Sequence, residues 1–398
     1  MKRCLVVRSD QHGPTILMLA VPDKQETYMK SSRLIIGRCC CPMNLLVFSS
    51  AVALLIEGTS AQSLLDPKSM AQCFAPKTAD TPMVSFPAKK APYKIAFSNS
   101  YFGNNWRAQM LKIGEIYVKQ PEVKKYIQEY KAYNAGNEVA QQIAQIRQII
   151  LSAPDALIVN AATPSGLDPV LEEAAKRGIV IVAFDNTVTS DKAVNINEDQ
   201  YLMGKRYAEF IADKIKGKGI VLMVRGLAGT SVDNDQAEGA HSVFKKYPDI
   251  KVIENYGNWD VGTNQKVTAA ALAANPEIDA AWGTDGCTGI IQAFLQANRP
   301  LVPMTGHRNN GFMRLAAEKN IPTLVIGQTP AMLAVAIRAA VALLDGQKLP
   351  KEISLPLEEI PTSDMKAGVN YFPELPDSFN TDVSVPACDV QIRAEMVQ

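Results

Sequence analysis

From Tyr93 onward the chain repeats one rhythm: a short apolar run, then a longer stretch with apolar residues every three or four positions. Lys94–Ser98, Ile127–Ala132, Ala156–Asn160, Ile179–Phe184 and Val194–Ile196 read as strands, with helices over 106–119, 139–150 and 167–177. In 139–150, Ile143, Ile146, Ile149 and Ile150 fall on one helical face. Ile179–Phe184 is apolar at every position, as expected of a parallel strand covered on both faces. The rhythm then restarts. Helices over 201–215, 236–246, 263–274, 286–297, 310–319 and 330–344 alternate with strands over 219–224, 250–254, 280–283, 301–305 and 323–327. This alternation predicts an α/β protein of doubly wound parallel sheets. About ten strands exceed one comfortable sheet of this type, so two lobes are expected.

Outside this region the periodicity fades. Residues 62–92 are proline-containing and read as an extended arm; beyond Gly346 the chain is proline-rich and irregular to Gln398. Near the start, Met43–Ile56 is a run of 14 mostly apolar residues, short of the roughly 20 that span a bilayer. Lys30, Arg33 and Arg38 precede it, and Thr59-Ser60-Ala61 follows. That order reads as a secretory signal peptide within a leader of residues 1–61, cleaved after Ala61. The other reading is a buried apolar helix. A start at Met29 would give a signal of ordinary length.

The chain has 398 residues, 47% hydrophobic and 20% charged, which excludes a disordered protein. Its net charge is +1, and loss of the leader leaves 34 basic and 36 acidic residues, net −2. No global basic field exists to hold nucleic acid or an anionic membrane. Three scattered histidines, His12, His241 and His307, argue against a multi-histidine metal centre. Cys4, Cys39, Cys40 and Cys41 lie in the leader. In an oxidising compartment, Cys73 and Cys388 are expected to form a disulfide between the two terminal extensions, the alternative being two free thiols. Cys287 reads as a core residue.

Open α/β sheets bind ligands beyond the carboxyl ends of their strands. The residues there are Asn99, Tyr101, Asn104, Asn105, Trp106 and Arg107 after the first strand, and Asp185-Asn186 after Ile179–Phe184. In the second half they are Asp233-Asn234-Asp235, Thr284-Asp285, Gly306-His307-Arg308-Asn309-Asn310 and Gln328. Amides and carboxylates hydrogen-bond vicinal hydroxyls in plane, and aromatic rings cover the apolar face of a sugar. A small polyhydroxylated ligand fits this inventory. Singly, each Asn or Asp is equally a turn former or helix cap. Enzyme motifs are missing: Gly229-Thr-Ser231-Val-Asp233 lacks the last glycine of a nucleophile elbow, and no phosphate-binding GxxxxGK[ST] loop occurs. Asp185 and Asp285 as a catalytic carboxylate pair in a secreted α/β hydrolase remain the enzymatic alternative.

The ordered segments SNSYFGNNWR (98–107), AFDNTV (183–188), RGLAGTSVDNDQAEG (225–239), NWD (258–260), GTDG (283–286), TGHRNN (305–310) and IGQTP (326–330) resemble the ribose-binding branch of the type I periplasmic sugar-binding proteins. The resemblance covers about residues 93–358. It implies two lobes joined by a three-segment hinge, closing on a ligand. The first lobe would be 93–198 plus 329–352, the second 199–328 plus 353–358, and 359–398 a tail. It implies no catalysis, no cofactor and no metal. It also implies a periplasmic monomer delivering sugar to an inner-membrane ABC permease, with a chemoreceptor or sensor as a compatible partner. A repressor effector domain shares this fold, but no helix-turn-helix precedes Tyr93. Ligand contacts implied are Asn105, Trp106, Asp185 and Asn186 from one side and Asn234, Thr284, Arg308 and Gln328 from the other. Trp106 would be the stacking platform, Asp185 the main hydroxyl acceptor and Gln328 the link to closure. The family's usual arginines are replaced by Asn186 and Asn234, its Phe-Asp pair by His307-Arg308, and its aromatic pair by Asn105-Trp106. Arg308 is therefore either the anchor of a sugar acid or an internal partner of Asp185 or Asp285 beside a neutral sugar or polyol.

Overall fold

The computed structural model describes residues 64–397, so the signal peptide and the leader cysteines lie outside the described residues. The arm carries α1 (Pro67–Cys73) and β1 (Met83–Val84). It is therefore not wholly extended: Asp66 caps α1 by accepting from Ser69 N, and Pro67 fills its first turn, where no amide hydrogen is needed.

The first lobe runs β2 (Tyr93–Asn99), α2 (Asn105–Tyr117), α3 (Pro121–Lys124), β3 (Ile127–Asn134), α4 (Val139–Leu151), β4 (Ala156–Asn160), α5 (Asp168–Lys176), β5 (Val180–Phe184) and β6 (Ala193–Glu198). The second runs α6 (Gln200–Lys214), β7 (Gly219–Arg225), α7 (Ser231–Phe244), β8 (Ile250–Tyr256), α8 (Val261–Ala274), β9 (Ala280–Gly283), α9 (Thr288–Gln296), β10 (Met304–Gly306), α10 (Asn310–Glu318) and β11 (Thr323–Ile326). The chain then returns through α11 (Met332–Leu344), β12 (Leu349–Pro350), β13 (Glu352–Leu355) and β14 (Glu359–Pro361), and ends in α12 (Ala394–Val397).

Two six-stranded sheets result. The first has the order β13-β6-β5-β4-β2-β3, parallel throughout. The second has the order β14-β11-β10-β9-β7-β8, with only β14 antiparallel. Alternate strand residues serve opposite faces. Ile158, Val182 and Phe184 join one core with every apolar residue of α11, while Leu157, Val159, Ile181 and Ala183 join the other with α4 and α5. In the second lobe Leu222 and Val224 face α8–α10, and Val221 and Met223 face α6 and α7.

Register corrects the lobe boundary. Residues 353–358 were assigned to the second lobe, yet β13 pairs in parallel with β6, Ile353 opposite Ile196, and so belongs to the first sheet. The crossing follows it, because β14 pairs with β11. Three segments thus link the lobes: Glu198 to Gln200, Ile326 to Met332, and Leu355 to Glu359. The tail adds a fourth link. Asn310 of the second lobe binds the carbonyls of Phe372, Leu375 and Pro376. Asn380 then meets Gln109 of α2, and Val383, Val385, Val390 and Ile392 enter the first lobe's core. Cys388 there forms a disulfide with Cys73. Among the described residues no helix is long and apolar enough to cross a membrane.

Candidate functional site

Between the lobes lies a cleft of about 270 Å³ lined by Asn104, Trp106, Arg107 and Asp185 from the first lobe, Val232, Trp259, Asp285 and His307 from the second, and Gln328 from a crossing. Its first wall begins at the N-terminus of α2. Asn104 caps that helix by accepting from Arg107 N at 2.9 Å. Trp106 and Arg107 are thereby set on the inward side of the first turn, 5% and 2% exposed.

The Arg107 guanidinium is the centre of the wall. Its Nη2 lies 2.9 Å from Asp185 Oδ2, and its Nη1 donates to Asn99 Oδ1 at 3.1 Å. Asp185 is held on both oxygens. Oδ2 also accepts from Asn160 and Asn186, and Oδ1 accepts from Gln328 Nε2 at 2.7 Å. Asp185 sits in the left-handed region with φ 58°, a conformation that non-glycine residues seldom adopt and that this network of contacts holds. Burial works against the charge on Arg107, and Asp185 offsets it.

The second wall is Trp259. Asn258 and Trp259 both have φ near 57–58°, turning the indole onto Gly226. A β-carbon at Gly226 would stand 2.1 Å from that ring, so glycine is what lets the indole lie there. Trp259 Nε1 donates to Thr284 Oγ1 at 3.2 Å. The lobes meet beside the cleft: Thr187 N donates to Ser231 Oγ at 3.0 Å, and Asn186 Oδ1 accepts from Val232 N at the start of α7.

Seven residues singled out in the sequence therefore line the cleft: Asn104, Trp106, Arg107, Asp185, Asp285, His307 and Gln328. Asn99, Asn186 and Thr284 are buried behind it and position Arg107, Asp185 and Trp259. Tyr101 is half-buried and is not among the residues that line the cleft. Asn105 and Asn234 are corrected: both are exposed on helices. Thr230 caps α7 through Asp233 N, so that helix starts at Ser231 rather than 236, and Asn234 points outward from it. Arg308 is also corrected. It pairs with neither Asp185 nor Asp285 but with Glu358, 2.5 Å away, and lines a separate cavity. The cation of the cleft is Arg107. Arg107 stood among the strand-end residues without an assigned role, and Trp259 lay in a quoted segment beyond an edge strand, where position after a strand gives it no weight.

Two polar atoms of the cleft are unfilled. His307 Nε2 and Gln328 Oε1 are buried without a hydrogen-bond partner. Desolvation holds the His307 imidazole down to about 3, so it is neutral. Desolvation first, then neighbouring carboxylates, push Asp285 up to about 7. Unfolded Asp titrates near 3.8, so from about pH 4 to 7 the folded chain keeps a proton that the unfolded chain has lost. The share of stability due to Asp285 falls with rising pH there. His307 acts oppositely: between about pH 3 and 6.5 only the unfolded chain binds its proton, and its share rises with pH. Relative to the parent, Asp285→Asn should gain stability as pH rises from 4 to 7, and His307→Gln should lose it between 3 and 6.5. Urea unfolding across that pH range reads both slopes; parallel curves for parent and variants would refute them.

The sequence profile of a family described as periplasmic binding protein domain matches residues 95–348. The chain is 32% identical over 179 residues to a xylitol-binding protein of Mycolicibacterium smegmatis, covering 44% of this chain and 51% of that protein, about half its length. It is 24% identical over 273 residues to a ribose import binding protein of Bacillus subtilis, covering 68% and 87%. A solved ABC transporter solute binding protein from Thermobispora bispora superposes with a TM-score of 0.66 at 30% identity, over 69% of this chain and 86% of that one.

Proposed function

This chain belongs to the periplasmic binding protein domain family, and from that premise we propose that it is an exported solute-binding protein. It captures a neutral sugar or polyol between two closing lobes and delivers it to an inner-membrane ABC permease. The observation that carries the ligand class is charge cancellation in the cleft. The charge of Arg107 is paired with Asp185, and its Nη1 is bound to Asn99; His307 is neutral, and Arg308, which would have anchored a sugar acid, faces Glu358 elsewhere. What remains for a ligand is two indole faces, neutral hydrogen-bonding atoms and the carboxyl of Asp285, which burial pushes up to about 7 and which offers no anchor to an acid. The names of two relatives, xylitol-binding and ribose import binding, point to the same class. The hydrolase reading loses support, since both oxygens of Asp185 are committed to protein donors.

The test is calorimetry on protein stripped of ligand by unfolding and refolding, against pentoses, hexoses, linear polyols and the matching sugar acids. Saturable binding confined to neutral members is expected. Tight binding of an acid, or turnover of any glycoside, would overturn the reading. Trp259→Ala should weaken the best ligand about ten- to a hundredfold, the equivalent of losing about 1.5–3 kcal/mol of apolar burial.

A further inference from the structure

Gln328 turns its side chain into the cleft, while its neighbours Gly327 and Thr329 line a second cavity of about 520 Å³. Its walls come from all three crossings and from the tail. We propose that this cavity is a binding site for a small organic ammonium ion, its N–H groups held by Glu198 and Asp382 and its aliphatic body lying on Leu355, Pro356, Val385 and Pro386.

Three polar atoms of residues lining this cavity have no partner: Glu198 Oε2, Asp382 Oδ2 and Arg308 Nε. Glu198 is 4% exposed and Asp382 9%, so water contact does not compensate them. The Glu198 carboxylate is bonded only by backbone N–H groups, its own and that of Thr329, the latter to Oε1 at 3.4 Å, and the Asp382 carboxylate likewise by its own and that of Gln328, which leaves Oε2 and Oδ2 open. Arg308 spends its Nη1 on Glu358, at the exposed mouth. The groups facing the space are thus three carboxylates against one guanidinium. Gly327 leaves it open: a β-carbon there would come within 3.3 Å of Asp382 Oδ2 and 3.2 Å of Arg308 Cδ. Desolvation pushes both Glu198 and Asp382 toward their protonated forms. A cation between them supplies the missing charge and the missing donors together. A metal ion fits poorly: among the described residues no group of three or more His, Cys, Asp or Glu is placed to hold one. The aliphatic wall instead matches methylene groups.

The experiment is calorimetric titration of the full exported chain with n-butylammonium chloride at constant ionic strength. Tetramethylammonium chloride, which has no N–H, is the control. Saturable millimolar binding of butylammonium is expected, at least tenfold weaker for tetramethylammonium. It should fall at least tenfold in the Glu198→Gln, Asp382→Asn double variant and stay unchanged in Trp259→Ala. No saturation would mean that the cavity holds water alone and would overturn the proposal. Equal binding of the two cations, or loss in Trp259→Ala, would overturn it as well. The two-cation comparison needs no variant, so it decides the matter even if the double variant fails to fold. Because cleft binding is read in Trp259→Ala, failure here leaves the sugar-binding reading untouched.

Discussion

Replacing Arg107 with methionine is expected to destabilise the protein by about 3–5 kcal/mol and to abolish measurable sugar binding, because it leaves a buried carboxylate without its counter-charge. Arg107 and Asp185 side chains are 2% and 4% exposed, and their oxygen–nitrogen distance is 2.9 Å. Methionine fills much of the volume but brings no charge, so Asp185 would face only the amides of Asn160, Asn186 and Gln328. Those amides also lose their orientation. Gln328 belongs to a crossing, and its carbonyl accepts from Trp106 Nε1 at 2.7 Å, so the indole wall is set through the same network. A second substitution separates charge from shape. In Arg107→Met, Asp185→Asn the buried charge is gone, and asparagine tolerates the left-handed backbone at 185. Stability should return to within about 2 kcal/mol of the parent, since a lost pair costs less than a lone buried charge. Sugar binding should not return, because the anchor of Gln328 is altered. Guanidinium unfolding reads the first effect and calorimetry the second. A single-variant loss below about 1 kcal/mol would show that Asp185 is neutralised by other means.

Much of the fold could be read from periodicity because parallel strands buried on both faces are apolar at every position, as Ile179–Phe184 illustrates. The site was harder, for a compositional reason. Asn, Asp and Thr serve equally as helix caps and as ligand contacts, and both roles occur just after strands. Asn104 caps α2 and lines the cleft, Thr230 caps α7 and does not, and Asn234 does neither. Only the helix start, fixed in three dimensions, tells them apart. Arg308 shows a second limit. Its charge does lie in the loop after β10, but its partner Glu358 is 50 residues away on a crossing. Most of the tail gave no periodic signal, because Val383, Val385 and Val390 enter a core singly rather than as part of a helix or a named strand.

Removing the disulfide in Cys73→Ser, Cys388→Ser should therefore have the other large effect. The two cysteines are 315 positions apart, so the bond closes nearly the whole folded chain into a loop. In the chain-entropy account such a loop is worth roughly 5–6 kcal/mol, and observed losses usually fall in the range of about 2–5. The native contacts around it say how the loss should be distributed. Arg338, fully buried in α11, donates to Leu64 O and Ser69 Oγ from the arm and to Cys388 O from the tail. Arm and tail thus share one buried cation as well as one covalent bond. With the bond gone, the two ends nearest it are held by Arg338, by the Ser69–Asp389 bond and by apolar contacts that include Phe74, Val385, Val390 and Ile392. Hydrogen exchange should rise first in α1 and in residues 383–397, before the sheet amides, as expected of a locally opening unit. Melting temperature and denaturant midpoint should both fall. The sheets themselves keep their cores, so the far-ultraviolet spectrum should be unchanged below the transition. Equal midpoints for parent and double variant would mean that the non-covalent contacts of Arg338, Gln109 and the tail's buried valines suffice to fix the tail to the first lobe. Uniform loss of protection across both sheets would instead mean that the fourth link, and not only its ends, is needed to hold the two lobes as one cooperative unit.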